Sequence, residues 1–305
     1  MERGRIAVMG AGAVGCYYGG RLSLAGQAVT LIGRPALVQA VGQSGLIVEE
    51  GGQRRMAHPD VTDDPAGVAG ADLVLVCVKS GDTEAAARAI APHLAPGATI
   101  LSLQNGIGNA DLIAQVLGRP VGAVVVYVAA EMAGPGHVRH NGRGELILTP
   151  GAGAEAAAQR LSAAGIRAEV SPAAEAALWT KLTINCCYNA LSALTRQPYG
   201  VINAQAGAQD MMRAVMEECR AVAAASGVAL PGDLWQKVLD VAEQMAGQHS
   251  STAQDMRRGK PTEIDALNGA VVRSAAALGL PVPLNNALWV MVKLAEKAPN
   301  AAATG

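Results

Sequence analysis

The chain of 305 residues contains no phenylalanine, and its aromatic content is only 3% although half of its residues are hydrophobic. A core without large rings must be filled by Ala, Val, Leu, Ile and Met, which favours closely packed helices and parallel strands. An excess of either charge is also missing. Lys and Arg number 24 against 25 Asp and Glu, a formal net charge of -1, and no basic block occurs. That balance leaves no electrostatic footprint for nucleic acid or an anionic membrane surface, so a small molecule is the expected partner. Cysteine is scarce and scattered: Cys16, Cys77, Cys186, Cys187 and Cys219 are odd in number and form no C-x-x-C pair. A disulfide framework and a metal site are therefore not expected, and a reducing, cytoplasmic setting is. Long apolar runs are absent as well, since even Val121 to Ala130 is too short to cross a bilayer.

A chain of this length reads as two domains. Short β-rich runs alternate with helical stretches through the first half: RIAVMG, AVTLIG, ADLVLVCVK, TILSLQNG, VGAVVVYVAA and GELILTP are the strands. Such alternation predicts an α/β domain with a parallel sheet covered on both faces, of Rossmann type, over residues 1–172. Strand signals stop after Ala168 to Val170. From about Ala173 the chain is Ala-rich, periodic and helical, broken at Pro198 to Gly200, Pro231, Arg258 to Pro261 and Gly279 to Pro283. Residues 173–305 are thus expected to form a helical domain, ending in a frayed AAATG tail.

Arg3 and Arg5 ahead of a small, apolar run could open a secretory leader. Glycines punctuate that run, however, and a strand-helix unit follows at once. GAGAVG, Gly10 to Gly15, follows the strand Ile6 to Met9 and opens a helix, with AVTLIG at the spacing of a βαβ unit. Gly10 serves the tight turn, Gly12 lets a pyrophosphate approach the backbone, and Gly15 lets helix and strand pack closely. Ala11, Ala13 and Val14 complete the loop, whose helix end supplies N–H donors. At the end of the second strand, where an NAD site carries Asp or Glu, this chain has Gly33 and Arg34. A guanidinium there suits a 2′-phosphate, hence NADPH; its plainer role is a solvated loop cation.

Lys79 in VCVKS and Asn105 in LQNGIG stand at the carboxyl ends of two further strands, the edge where such sheets bind ligands. Either could be an ordinary loop residue. Between Glu175 and Leu194, Lys181, Asn185 and Asn189 recur every four residues with Ser192 following, so they form one polar stripe on an otherwise apolar helix. A solvent-facing stripe would carry Glu, Arg and several Lys, so this one reads as a lined pocket. In TEIDALNG, Thr262 and Asp265 predict a capping box, with Glu263 in the first helical turn.

These segments, from GAGAVG through VCVKS, LQNGIG, LWTKLTINCCYNALSAL and TEIDALNG to PVPLNNALWVMVK, together resemble the ketopantoate reductase (2-dehydropantoate 2-reductase) family. The resemblance covers nearly the whole chain. It implies an NADPH-dependent reductase of a short 2-oxo acid, with a C-terminal all-helical domain of the 6-phosphogluconate dehydrogenase type. It further implies that Lys181 is the proton donor and that Asn185, Asn189 and Ser251 bind substrate. Lys79, Asn105 and Glu263 would then fall on the cofactor and ternary-complex side, and Ala130 on a cofactor backbone contact. The substrate would lie between the domains. Two positions depart from the family pattern: Gln248 before the Ser-Ser pair and Tyr199 in RQPYG stand where Asn is common, which bears on which 2-oxo acid is taken. A related dehydrogenase for another 2-oxo or β-hydroxy acid, and a non-catalytic NADPH-binding sensor, are the competing readings. The sensor has no need for Lys181, Asn185 and Asn189 on one face. A homodimer and a monomer are both compatible with a helical second domain.

Overall fold

The computed structural model describes residues 4–298; the AAATG tail and Arg3 lie outside them. The chain divides into two compact units. The first runs to Gln104 and resumes at Gly108–Ala174; the second comprises Asn105–Ile107 and the chain from Glu175 onward.

The first unit is built on ten strands: β1 (Arg5–Met9), β2 (Val29–Ile32), β3 (Leu46–Glu50), β4 (Gln53–Ala57), β5 (Asp60–Thr62), β6 (Ala71–Val76), β7 (Thr99–Ser102), β8 (Gly122–Gly134), β9 (His137–Leu148) and β10 (Ala168–Val170). Five helices accompany them: α1 (Ala13–Leu24), α2 (Pro35–Ser44), α3 (Thr83–Ile90), α4 (Asn109–Leu117) and α5 (Ala154–Ala163). Strands β5-β2-β1-β6-β7-β8 are mutually parallel neighbours, the 3-2-1-4-5-6 order of a dinucleotide-binding sheet with its switch point between β1 and β6. Ile6, Val8, Leu31, Leu73, Leu75 and Leu101 fill its core together with Cys16, Tyr18 and Leu22 of α1.

The sheet is mostly, not wholly, parallel. β8 and β9 pair antiparallel, β9 then pairs parallel with β3, and β3 antiparallel with β4. The short Pro135-Gly136 connection dictates the first of these, because so tight a link can only reverse the chain. Most of β9 reads HVRHNGRG, too polar and glycine-rich to advertise a strand. The β3–β4 ribbon is held from its charged side instead: Glu49 faces Arg54 across the strands, and the Arg54–Glu49 and Arg55–Glu50 ion pairs both measure 2.9 Å.

The second unit contains α6 (Ala174–Thr195), α7 (Tyr199–Ala204), α8 (Ala208–Ala225), α9 (Leu234–Gln244), α10 (Ser251–Arg257), α11 (Asn268–Leu278) and α12 (Pro283–Lys297). Leu182, Cys186 and Tyr188 of α6 pack with Met212, Val215 and Cys219 of α8 and Leu288 and Val292 of α12. Glu218 caps α12, its two carboxylate oxygens accepting from the N–H groups of Leu284 and Asn285, each at 2.9 Å. All three tryptophans belong to this unit. Trp179 is buried, Trp235 lies under the Arg213 guanidinium, and Trp289 donates to Asp265. Among the described residues no helix is long and apolar enough to cross a membrane.

Candidate active site

In the first unit, the turn after β1 is pinned by Gly10 and Ala11, whose N–H groups both donate to the Ile32 carbonyl, at 3.0 and 2.9 Å. Gly10 has φ +100, and a Cβ there would lie 2.5 Å from the Val78 nitrogen, so β1 and the segment after β6 meet over a bare backbone. A Cβ on Gly15 would lie 2.3 Å from the Gly10 carbonyl oxygen, whereas one on Gly12 would meet nothing within 4 Å. No side chain caps α1, so the N–H groups of its first turn, beginning at Ala13 and Val14, are available to an anion. Open space at Gly12 beside uncapped helix donors fits a pyrophosphate.

Arg34 is the N-cap residue that precedes α2 and follows Gly33, whose Cβ, if present, would lie 3.0 Å from that of Ala11. Its guanidinium is exposed and makes no hydrogen bond or ion pair among the described residues. Lys79 is exposed and leads into the short turn Ser80–Asp82 after β6. A buried polar cluster that the sequence reading missed braces this segment. Ser102 donates to Gln104 (2.9 Å), and the Gln104 amide donates to the Val78 carbonyl (3.1 Å) and to Thr83 Oγ1 (2.7 Å), which itself reaches the Ser80 carbonyl (2.9 Å). The signal for it was a run of polar residues at the end of an apolar strand. Ala130 pairs with His140 in the β8–β9 ribbon, where the register slips and Gly142, Arg143 and Gly144 all have positive φ.

Thiol chemistry is disfavoured at Cys16, Cys77, Cys186 and Cys187. Burial pushes Cys16 up to about 12 and raises Cys77, Cys186 and Cys187 as well, which keeps them protonated. Among the described residues no cluster of His, Cys, Asp and Glu could hold a metal ion.

In the second unit, α6 places Lys181, Asn185 and Asn189 on one face, as their spacing requires. Lys181 Nζ donates to Asn105 Oδ1 at 2.9 Å, and Asn105 Nδ2 donates to Glu263 Oε2 at 3.3 Å. Three residues far apart in sequence thus form one chain of contacts. Asn185 is half-buried and Asn189 only 3% exposed, yet neither side-chain amide has a hydrogen-bond partner among the described residues. Neither amide is among the fully buried polar atoms that lack a partner, so both retain access from outside and can receive a polar ligand. Ser192 lies on the same face but is committed to structure, donating to the Gln197 carbonyl and accepting from the Ser250 N–H. Of the Ser-Ser pair, buried Ser250 caps α10 and donates to the Asn189 carbonyl, while Ser251 is exposed in the first turn. Tyr199 packs into the helical core against Tyr188, ring centroids 5.0 Å apart, and Gln248 is exposed.

The capping box expected of Thr262 and Asp265 does not form. The Thr262 N–H and hydroxyl both donate to Glu296, at 2.9 and 2.6 Å, and Asp265 accepts from Trp289 and Lys293, at 2.7 and 2.9 Å. These partners all come from α12; of the local bonds, the Ile264 N–H still donates to the Thr262 hydroxyl at 3.3 Å, but Asp265 makes no return bond to Thr262. Glu263 consequently precedes a single 3₁₀ turn, Ile264–Ala266, and α11 starts only at Asn268.

Comparison with known proteins matches both halves of the chain. The family described as Ketopantoate reductase PanE/ApbA matches residues 6–153, and Ketopantoate reductase PanE/ApbA C terminal matches residues 173–296. The curated 2-dehydropantoate 2-reductase of Halobacterium salinarum is 37% identical, covering 96% of this chain and 99% of its own. A crystal structure of a PanE/ApbA family ketopantoate reductase from Ralstonia eutropha superposes with a TM-score of 0.93 at 53% identity, over 96% of this chain and 98% of that one. The ternary structure of D-mandelate dehydrogenase with NADH and anilino(oxo)acetate reaches 0.89 at 27% identity, with the same two coverages.

Proposed function

The chain belongs to the ketopantoate reductase PanE/ApbA family, and we propose on that footing that it reduces 2-dehydropantoate to its 2-hydroxy acid with NADPH. The observation that carries the reading is the Lys181-Asn105-Glu263 chain of contacts beside two unpartnered amides, Asn185 and Asn189. When bound, NADPH supplies the hydride for the ketone carbon. Gly10 to Gly15, with Ala11, Ala13 and Val14, would hold its pyrophosphate and Arg34 its 2′-phosphate, while Lys79 and the Ala130 backbone would complete the cofactor side.

The chain's own chemistry is proton delivery and orientation. As the ketone oxygen becomes an alkoxide, the Lys181 ammonium stabilises it and gives up a proton. Asn105 accepts from that ammonium and is itself oriented by Glu263, which holds the donor in one direction. Asn185 and Asn189 bind the acid's carboxylate and hydroxyl groups, and the family resemblance adds Ser251 to the same role. Tyr199, packed in the core, brings no amide where the family commonly has Asn, and Gln248 carries its amide one methylene further out, which favours a substrate shaped differently at that end. Likeness to a mandelate dehydrogenase supports the second reading, an aryl-substituted 2-oxo acid. NADPH oxidation with purified protein and a panel of 2-oxo acids, 2-dehydropantoate and an aryl member included, tests class and substrate together. Five free cysteines support a reducing cytoplasm. A homodimer would cover Val290, Met291 and Leu294, which α12 leaves exposed.

A further inference from the structure

Asn105 is held at both ends, and the residue after it makes that possible. Gly106 has φ +85, and a Cβ built on it would lie 2.1 Å from the Ala266 carbonyl oxygen and 3.1 Å from its carbon. An obstacle made of backbone cannot swing aside as a side chain would. Ala266 closes the turn that Glu263 begins: its N–H donates to the Glu263 carbonyl at 2.8 Å. Gly106 therefore lies against the very turn whose first carboxylate accepts from Asn105. On the other side, Ile107 packs into the helical core. Three consecutive residues are each fixed by a different means: Asn105 by hydrogen bonds, Gly106 by backbone contact and Ile107 by apolar packing.

We propose that Gly106 is a positioning residue for the reduction: its bare Cα lets the Glu263 turn come close enough for Asn105 to bridge Glu263 and Lys181. The inference rests on Lys181 being the proton donor. A Cβ at this position would push the 105–107 segment off Ala266 by an ångström or so, on the order of what bringing the contact from 2.1 Å to an ordinary packing distance requires. The Asn105–Glu263 bond, already 3.3 Å, would lengthen past hydrogen-bond range. The bridge would then be broken at its Glu263 end, and Asn105 would no longer link that carboxylate to the Lys181 ammonium.

Gly108 provides the matched control. Its φ of +80 imposes the same left-handed demand, but a Cβ there meets nothing within 4 Å. Gly106→Ala and Gly108→Ala thus share backbone strain and differ in the close approach. The full-length chain saturated with NADPH would be assayed on the best 2-oxo acid as wild type, Gly106→Ala, Gly108→Ala, Asn105→Ala, Asn105→Ala/Gly106→Ala and Lys181→Ala. Gly106→Ala is expected to lower kcat at least tenfold with little change in KM, and Gly108→Ala to stay within about threefold of wild type. In the Asn105→Ala background, adding Gly106→Ala should cost almost nothing further, because both act through the same bridge. Equal losses in the two glycine variants, or losses from Asn105→Ala and Gly106→Ala that multiply, would overturn the proposal. Near wild-type turnover by Lys181→Ala would instead overturn the assignment of the proton donor. Should Gly106→Ala not fold, Gly106→Asn tolerates the left-handed region better and carries a Cβ to the same carbonyl. Failure of both to fold would also overturn the inference, since the fold and not the reaction would then demand glycine.

Discussion

Gly12 caps α1 and Gly15 lies in its first turn, three residues on, and the structure assigns them different sensitivities to an added methyl group. Gly12 has φ −83 in the extended region and open space where its Cβ would be. Gly12→Ala is therefore unstrained: the gain of about 0.4–1 kcal/mol through the unfolded chain is offset by the poorer N-cap that Ala makes, so the Tm of the free protein should move by no more than about 2 °C. The same methyl occupies the space the pyrophosphate approaches. Losing one charge-assisted bond of about 1.5–3 kcal/mol weakens NADPH by roughly 10- to 150-fold. Thermal denaturation reads both effects. At a ligand concentration of about 100 times the wild-type Kd, wild type gains about 2.7 kcal/mol, and a variant weakened about a hundredfold gains only about 0.4 kcal/mol. Gly15→Ala behaves differently, because its Cβ would lie 2.3 Å from the Gly10 oxygen and 3.0 Å from Val8 Cγ1. Overpacking of that kind costs about 1–3 kcal/mol, so its Tm falls before any ligand is added. Wild-type NADPH affinity in Gly12→Ala would refute the reasoning, since the space at Gly12 would then not be where the cofactor approaches.

Three further outcomes follow from other parts of the molecule. Arg34→Ala should weaken NADPH roughly 10- to 100-fold by loss of a charged partner and leave NADH nearly unchanged; equal losses on titration with both cofactors would remove Arg34 from the 2′-phosphate. Lys181→Ala should lose at least roughly a hundredfold in kcat, the lower end of general acid catalysis, with NADPH affinity retained. Lys79→Ala should instead raise the NADPH constant, and a dead Lys79→Ala beside an active Lys181→Ala would reverse the two roles. Glu49 accepts from Arg139, Arg54 and His137, and the Arg139 hydrogen bond above all holds its carboxyl down to about 2. Because that value lies below the ordinary 4.5, the stability it confers is whole above pH 4.5 and is lost as pH falls toward 2. Glu49→Gln should flatten the dependence of Tm on pH across that window, and an unchanged slope would show the network adds nothing.

What could be read in advance was local in sequence. GAGAVG announces itself because three glycines within six residues, between a strand and a helix, answer to one ligand geometry. Lys181, Asn185 and Asn189 do so because a helix turns a spacing of four into a face. The Asn105–Glu263 contact spans 158 positions and leaves no periodic trace. Thr262 and Asp265 had the correct spacing for a capping box, and the groups offered by α12 still won. Propensity describes what a segment prefers alone, and a buried neighbour with a carboxylate changes the choice. β9 was legible only at its GELIL end: towards the hairpin its register with β8 slips, and Gly142, Arg143 and Gly144 interrupt the alternation of a strand.

The confinement of Trp179, Trp235 and Trp289 to the helical unit gives the molecule a built-in optical asymmetry. Indole emission, excited selectively, reports only that unit, whereas the backbone circular dichroism of β-structure reports only the other. Denaturant titrations followed by the two signals would therefore coincide only if the units unfold as one cooperative block. A gap between the two midpoints would measure directly how far one unit can come apart while its neighbour stays folded.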